Sequence, residues 1–388
     1  MEWVRLRDIG KIVTGNTPPT SKPEFYGDYM PFIKATDISL DSKTTLVTEQ
    51  SYSKRASEKY KESLVPKGST CVVTIGSIGK KMTYAHKDLF VNQAINAIIP
   101  SPKYDNEYIY YNVKYSVLPQ LKKLDSGTTS GRENVSKSSF SNIRIPIVKD
   151  KNIQHRIASI LSTYDSLIEN NTKRIRLLEK MAENLYKEWF VRFRFPGHEN
   201  VEMENGLPKG WKRGSLSDVC EFKRGKNITS SEMQEGNVPV ISAGLEPSGY
   251  HSCSNVRGVN VTMSSSGANA GYIAIHYSDI WAADCSYIEK STTGNIYYVY
   301  ELLNNIRTVI NNFQRGAAQP HVYPKDVNRI KLILPSKELM LKANGRLEIM
   351  HKEIYNLQKQ NSLLARQRDL LLPRLMSGKL EVKEELLE

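Results

Sequence analysis

From Asp150 to Phe190 the chain reads as one long amphipathic helix. Apolar or near-apolar residues recur at Ile157, Leu161, Tyr164, Ile168, Asn171, Ile175, Leu178, Ala182, Leu185 and Trp189, in alternating steps of four and three. A 3.5-residue spacing held over four heptads, with no Pro or Gly inside, predicts a coiled-coil helix. At 1.5 Å per residue, roughly 38 residues make a rod of about 57 Å. A second rod is expected from Lys337 to Ser377, with a stripe at Leu347, Met350, Ile354, Leu357, Asn361, Leu364, Arg368, Leu371 and Leu375, and with Gly378 as its stop. One series of the second stripe lies 189 residues after the first and the other is shifted by one, so the register of the repeat stays open. A lone helix of this kind leaves its seam in water. The two rods are therefore expected to bury each other, with Asn171 and Asn361 fixing register, although each could instead pack on its own neighbouring domain.

The sequences around the rods are also duplicated. Trp3 pairs with Trp211 and Gly15 with Gly225, offsets of 208 and 210, and Met30 to Ile38 corresponds to Val238 to Gly244. Thr74 to Gly79 corresponds to Ser266 to Gly271 at an offset of 192, so about 18 residues are missing from the second copy, opposite Leu46 to Glu62. Tyr-rich helical segments follow, Asn106 to Leu124 and Ile296 to Phe313, then polar loops, then closing strands whose prolines, Pro146 and Pro335, are 189 apart. Short β-branched runs mixed with helices and glycine turns predict an α+β domain in each half. The expected divisions are a first domain over 1–149, a long helix over 150–190, a connector over 191–206, a second domain over 207–336, a long helix over 337–377 and a tail over 378–388. In the connector, Phe193 and Phe195 either form a surface patch or pack against the second domain.

Composition narrows the function. A net charge of +13 over 388 residues favours polyanions, most simply nucleic acid. Four cysteines, Cys71, Cys220, Cys253 and Cys285, lack any C-x-x-C spacing and read as buried thiols. No run of eighteen apolar residues exists and the N-terminus is charged, so a cytoplasmic protein without membrane contact is expected. Catalytic motifs are missing from the sequence. Gly76 to Lys80 lacks phosphate-loop spacing, Asn16-Thr17-Pro18-Pro19 departs from an Asn-Pro-Pro-aromatic methylase loop, and the seven histidines, among them His86, His251, His276 and His321, are dispersed. No metal site is expected.

Several motifs resemble the specificity subunits of type I restriction-modification systems. They are Leu207-Pro208-Lys209-Gly210-Trp211 with Leu216, Asp218 and Val219 following, Gly15-Asn16-Thr17-Pro18, Met30-Pro31-Phe32-Ile33, Lys187-Glu188-Trp189-Phe190-Val191, and Leu372-Pro373-Arg374-Leu375 through Leu380. The resemblance covers the whole chain. It implies two pseudo-twofold target-recognition domains separated by an antiparallel coiled coil of two long helices. Each domain would read one half of a split site in double-stranded DNA. It also implies two modification subunits that carry S-adenosylmethionine and methylate adenine, and restriction subunits that use ATP and Mg, with no cofactor and no catalytic residue in this chain. A DNA nuclease or methylase with an unrecognised site is the alternative, and a structural coiled-coil adaptor a third reading.

For DNA contact, Arg132 and Asn134 in the first copy and Arg315 and Gln319 in the second are the leading candidates, because they occupy corresponding loops and carry suitable donors. Lys34, Thr36, Lys80, Lys81, Ser242 and Asn269 are further candidates at strand ends and glycine turns. The expected helix–helix interface is Ile157, Leu161, Tyr164, Ile168, Ile175, Leu178 and Leu185 against Leu347, Met350, Ile354, Leu357, Leu364 and Leu371.

Overall fold

A computed structural model describes residues 1–40, 42–125, 133–316 and 319–382. The chain divides into two compact units, Met1–Thr172 with Lys359–Glu388, and Lys173–Gln358. The division passes through both long helices, so each unit is an α+β domain joined by part of each helix. This differs from the expected boundaries at 149/150 and 336/337. The reason is that the helix ends belong to the domain cores.

In the first unit, a four-stranded antiparallel sheet runs in the order Gly10–Thr14, Ile95–Pro100, Thr70–Val73, Met82–Tyr84. A three-stranded sheet sets Tyr26–Ile33 between Gln50–Tyr52 and the parallel Phe90–Val91, and Glu2–Arg5 pairs with Arg144–Ile147. The second unit repeats this pattern strand for strand. Its four-stranded sheet is Lys223–Arg224, Cys285–Glu289, Asn260–Ser264, Ile273–His276. Its three-stranded sheet is Gly249–His251, Val238–Ile241, Trp281–Ala282, and its ladder is Lys212–Ser215 with Lys331–Leu334. The duplication read in the sequence is thus a duplication of topology.

Backbone pairing fixes the register of the repeat and corrects it in four places. Trp3 stands opposite Pro146 and Arg213 opposite Ile333, so Trp211 is not the counterpart of Trp3, nor Pro335 of Pro146. Trp211 instead stacks among Phe190, Phe193 and Phe195, with ring centroids 6.1, 5.2 and 5.7 Å away. Trp3 is 62% exposed. At the glycine turn, Gly76 N donates to Glu133 O and Gly267 N to Pro320 O, which aligns Gly76 with Gly267 rather than with Ala268. Finally, Pro31 pairs with Ser51 and Pro239 with Tyr250, so the shortening of the second copy falls in two parts, one on each side of that edge strand. The helix Lys54–Lys59 lies in the later part and has no counterpart among the helices of the second unit. Sequence offsets alone cannot see a gap that is split by a short, unrelated strand.

The first long helix is Lys151–Tyr186, continued by a wide turn at Lys187–Val191, and the second is Lys337–Met376. Each starts on a side-chain cap. Asp150 Oδ1 accepts from the amide of Asn152 at 2.7 Å, and Ser336 Oγ from that of Leu339 at 3.2 Å. Gly378, with φ +74°, ends the second.

In the first unit the two helices run antiparallel. Asn171 Nδ2 donates to Gln360 Oε1 at 3.4 Å, Asn361 Nδ2 to Thr172 Oγ1 at 3.3 Å, and Arg368 pairs with Asp165. In the second unit Arg174 meets Glu353 at 2.8 Å, and the Arg346 guanidinium lies 5.1 Å from the centre of the Trp189 ring, again antiparallel.

Of the expected seam, Ile157, Leu161, Ile168, Leu347, Ile354 and Leu357 are buried, whereas Tyr164, Ile175, Leu178, Leu185, Met350, Leu364 and Leu371 are half-buried. Burial is deepest where the helices enter the domains. Ile157, Ala158 and Leu161 share one core with Tyr108, Tyr111, Phe140, Leu372, Leu375 and Met376. Ala182, Tyr186, Trp189, Phe190, Met340, Ala343 and Leu347 share the other with Tyr297, Tyr298 and Met263. Phe195 is buried there too, so of the two readings of the connector aromatics this residue takes the packed one.

Candidate nucleic-acid interface

Both units build a group of polar loops at the same end of their sheets, and two glycines hold the loops together. An added Cβ on Gly15 would lie 1.9 Å from Val91 O, and one on Gly225 2.4 Å from Ala283 O. Only a residue without a side chain lets the backbone pass so closely. Gly15 N donates to Ile95 O and Gly225 N to Cys285 O, while Asn16 N donates to Val91 O and Lys226 N to Ala282 O. The loop after the first sheet strand is thereby fixed beside the short parallel strand in each unit.

In the first unit, Lys81 Nζ donates to Ala35 O at 3.1 Å, which draws the turn at Gly76 to Lys81 against the loop holding Lys34 and Thr36. Lys34 pairs with Glu49, and its amide donates to Asp37 Oδ2. Thr36 and Lys80 are exposed. Asn134 pairs its backbone with Ile75, and its backbone N–H donates to Asp125 Oδ1 at 2.7 Å. Arg132 lies outside the described residues. Thr17 and Gln93, neither of them among the contact candidates from the sequence, also meet here, the hydroxyl donating to the side-chain carbonyl.

In the second unit, Ser266 pairs its backbone with His321, and His321 with Arg315. The Arg315 guanidinium meets Asp326 at 2.9 Å. Asn269 closes the short helical turn Gly267–Asn269, and the Gln319 side chain is exposed. Ser242 Oγ lies 3.0 Å from Ser248 Oγ, and Ser264 Oγ donates to Ala243 O, which ties that loop to the central sheet. In register, His321 rather than Gln319 stands where Asn134 stands. A new constellation joins them. Arg224 Nη2 donates to Asp284 Oδ1 at 2.8 Å, and the Ser266 hydroxyl donates to Asp284 Oδ2 at 2.5 Å. Nothing in the sequence marks Arg224 or Asp284 as partners, because they are sixty residues apart and meet only through strand pairing.

Elsewhere in each unit, charge is buried with partners. Lys43 Nζ meets Glu107 at 2.7 Å and lies 4.9, 5.6 and 5.2 Å from the ring centres of Tyr84, Tyr110 and Tyr111. The Tyr111 hydroxyl donates to Asp165 Oδ2 at 2.5 Å, and burial together with that carboxylate raises its pKa far above the ordinary phenol range. In the second unit His351 is buried between Tyr277 Oη at 2.9 Å and Glu301 Oε1 at 3.2 Å. Cys71, Cys220 and Cys285 are buried and Cys253 is exposed. Among the described residues, no group of three or more His, Cys, Asp or Glu side chains is arranged to hold a metal ion, and no helix is long and apolar enough to cross a membrane.

Residues 1–180 and 208–361 match the model of the type I restriction modification DNA specificity domain, one match in each half. The chain is 26% identical to the type I restriction enzyme MjaIX specificity subunit of Methanocaldococcus jannaschii over 98% of this chain and 93% of that one. It is 26% identical to the putative type I specificity subunit S.MgeORF438P of Mycoplasma genitalium, over 80% and 81%. Its fold matches the crystal structure of a type I restriction-modification S subunit from M. genitalium with a TM-score of 0.61 at 21% identity, covering 96% of each chain. With a match in both halves and a relative that spans nearly its full length, this chain belongs to the type I restriction-modification DNA specificity family, as a non-catalytic specificity subunit with two recognition domains.

Proposed function

We propose that each α+β unit reads one half of an asymmetric, bipartite site in double-stranded DNA through its loop cluster, and that the two long helices set the unread spacer. The repeated topology with unlike loops carries this reading. One scaffold presents Thr36, Lys80, Asn134 and Gln93 in the first unit but Arg224, Ser242, Asn269 and His321 in the second. Different donors on the same frame select different base edges, whereas backbone contacts from the many surplus lysines and arginines add salt-dependent affinity without sequence preference.

The helices' outer faces are the docking surface for two modification subunits, which bring S-adenosylmethionine and methylate adenine. Restriction subunits with ATP and Mg complete a nuclease, and the assembly works in the cytoplasm. The test is an exchange. Replacing residues 1–149 with those of a relative, in a strain that also holds the modification subunit, is expected to change one half of the methylated motif and leave the other half and the spacer unchanged. A change in both halves would overturn the assignment.

A further inference from the structure

We infer that Arg224 is the guanine-reading residue of the second unit and that Asp284 is its positioning residue. This rests on the reading above that the second unit contacts DNA through its loop cluster. Arg224 closes the strand Lys223–Arg224, opposite Ser286. Its side chain is 46% exposed, yet one edge is fixed by Asp284 Oδ1 at 2.8 Å. Asp284 is itself held from the far side by the Ser266 hydroxyl, and Ser266 is buried. The backbone on either side of the acid is tied down, by Ala283 N to Ile241 O at 2.8 Å and by Gly225 N to Cys285 O at 2.8 Å. The brace therefore cannot follow the arginine if it swings away.

Two physical points favour a base over a phosphate. An arginine–phosphate contact draws much of its strength from the guanidinium's net charge, and a carboxylate 2.8 Å away cancels much of that charge and repels the phosphate oxygens. Guanine O6 and N7 carry only partial negative charge, so the acid opposes them far less than it opposes a phosphate. They also match the planar fork that a guanidinium presents. Holding a long side chain in place before binding removes part of the ordering cost. Among the described residues Asp284 is the hydrogen-bond partner of the Arg224 guanidinium, which leaves most of the fork's five donors open.

Among the described residues the first unit has no such device. Its residue in register with Arg224 is Thr14, whose hydroxyl donates to Asn96 Oδ1 at 2.6 Å, and Gln93 and Ala94 occupy the corner filled by Asp284. A guanine read through this braced arginine should thus belong to the second half-site.

The experiment uses the full chain assembled with its modification subunit, and selection of bound sites from a duplex library randomised at both half-sites. Arg224→Lys keeps the charge and removes the fork. It is expected to relax one guanine in one half-site by roughly 10- to 100-fold, with the other positions retained. Asp284→Asn is expected to relax the same guanine less. An unchanged motif in Arg224→Lys, or a loss spread evenly over all positions of either half-site, overturns the inference by assigning Arg224 to the backbone or to the fold. A wild-type complex that selects no motif would overturn the DNA-reading function itself, which separates the two failures.

Discussion

His276 shows how a single side chain records the packing around it. It ends the strand Ile273–His276, with Nε2 2.8 Å from Thr262 Oγ1 on the neighbouring strand, and burial lowers its pKa to about 4. The unfolded chain holds a proton on this ring up to roughly pH 6.5. Between about 4 and 6.5 the unfolded state therefore binds more protons, and stability contributed by the neutral ring falls as pH falls through that window. His276→Gln removes the titration. Denaturant titrations at pH 7 and pH 4.5 are expected to show the wild type losing on the order of 1 kcal/mol more than the variant, because the ring keeps some contact with solvent. Equal losses would mean that His276 is protonated in the fold.

Between the long helices the informative residues are the polar ones. Asn171 is buried and reaches Gln360 through a long 3.4 Å bond, and the buried Oδ1 of Asn361 has no hydrogen-bond partner. An incompletely paired amide in an apolar seam costs stability and is retained where it restricts register. Replacing both asparagines with leucine is expected to raise the unfolding free energy by roughly 1 to 2 kcal/mol, measured by chemical denaturation. A loss of stability would show instead that the amides are net favourable. The seam pattern made these two residues visible in the sequence. Asp165 and His351 were not visible as buried polar residues, because their partners, Tyr111 and Glu301, come from the domains.

For the whole molecule the prediction concerns distance along DNA. If the helices set the spacer, a matched insertion of one heptad into both, centred on the Thr172–Asn361 contact, keeps the seam in phase. The methylated motif is then expected to keep both half-sites and gain unread bases between them, since seven residues add about 10 Å of helix, close to three base-pair steps. An unchanged spacer in methylome sequencing would remove the ruler from the mechanism.

The two long helices, the duplication and the α+β class could be read from the sequence because periodicity and repetition are local properties of the chain. The seam at Ile157, Leu161 and Leu357 needed only a spacing. Exact correspondence between the copies did not follow, since Trp3 and Trp211 look alike while the ladder pairs Trp3 with Pro146 and Arg213 with Ile333. Of the candidate contact residues, Lys34, Lys81, Asn134, Arg315 and Ser242 were named by residue type at loop positions. Arg224, Asp284 and His321 emerged only when strand pairing brought together loops from three distant stretches, and Gly225 explains how closely they approach. Hydrogen bonding between strands sets those neighbours, and no linear spacing encodes it.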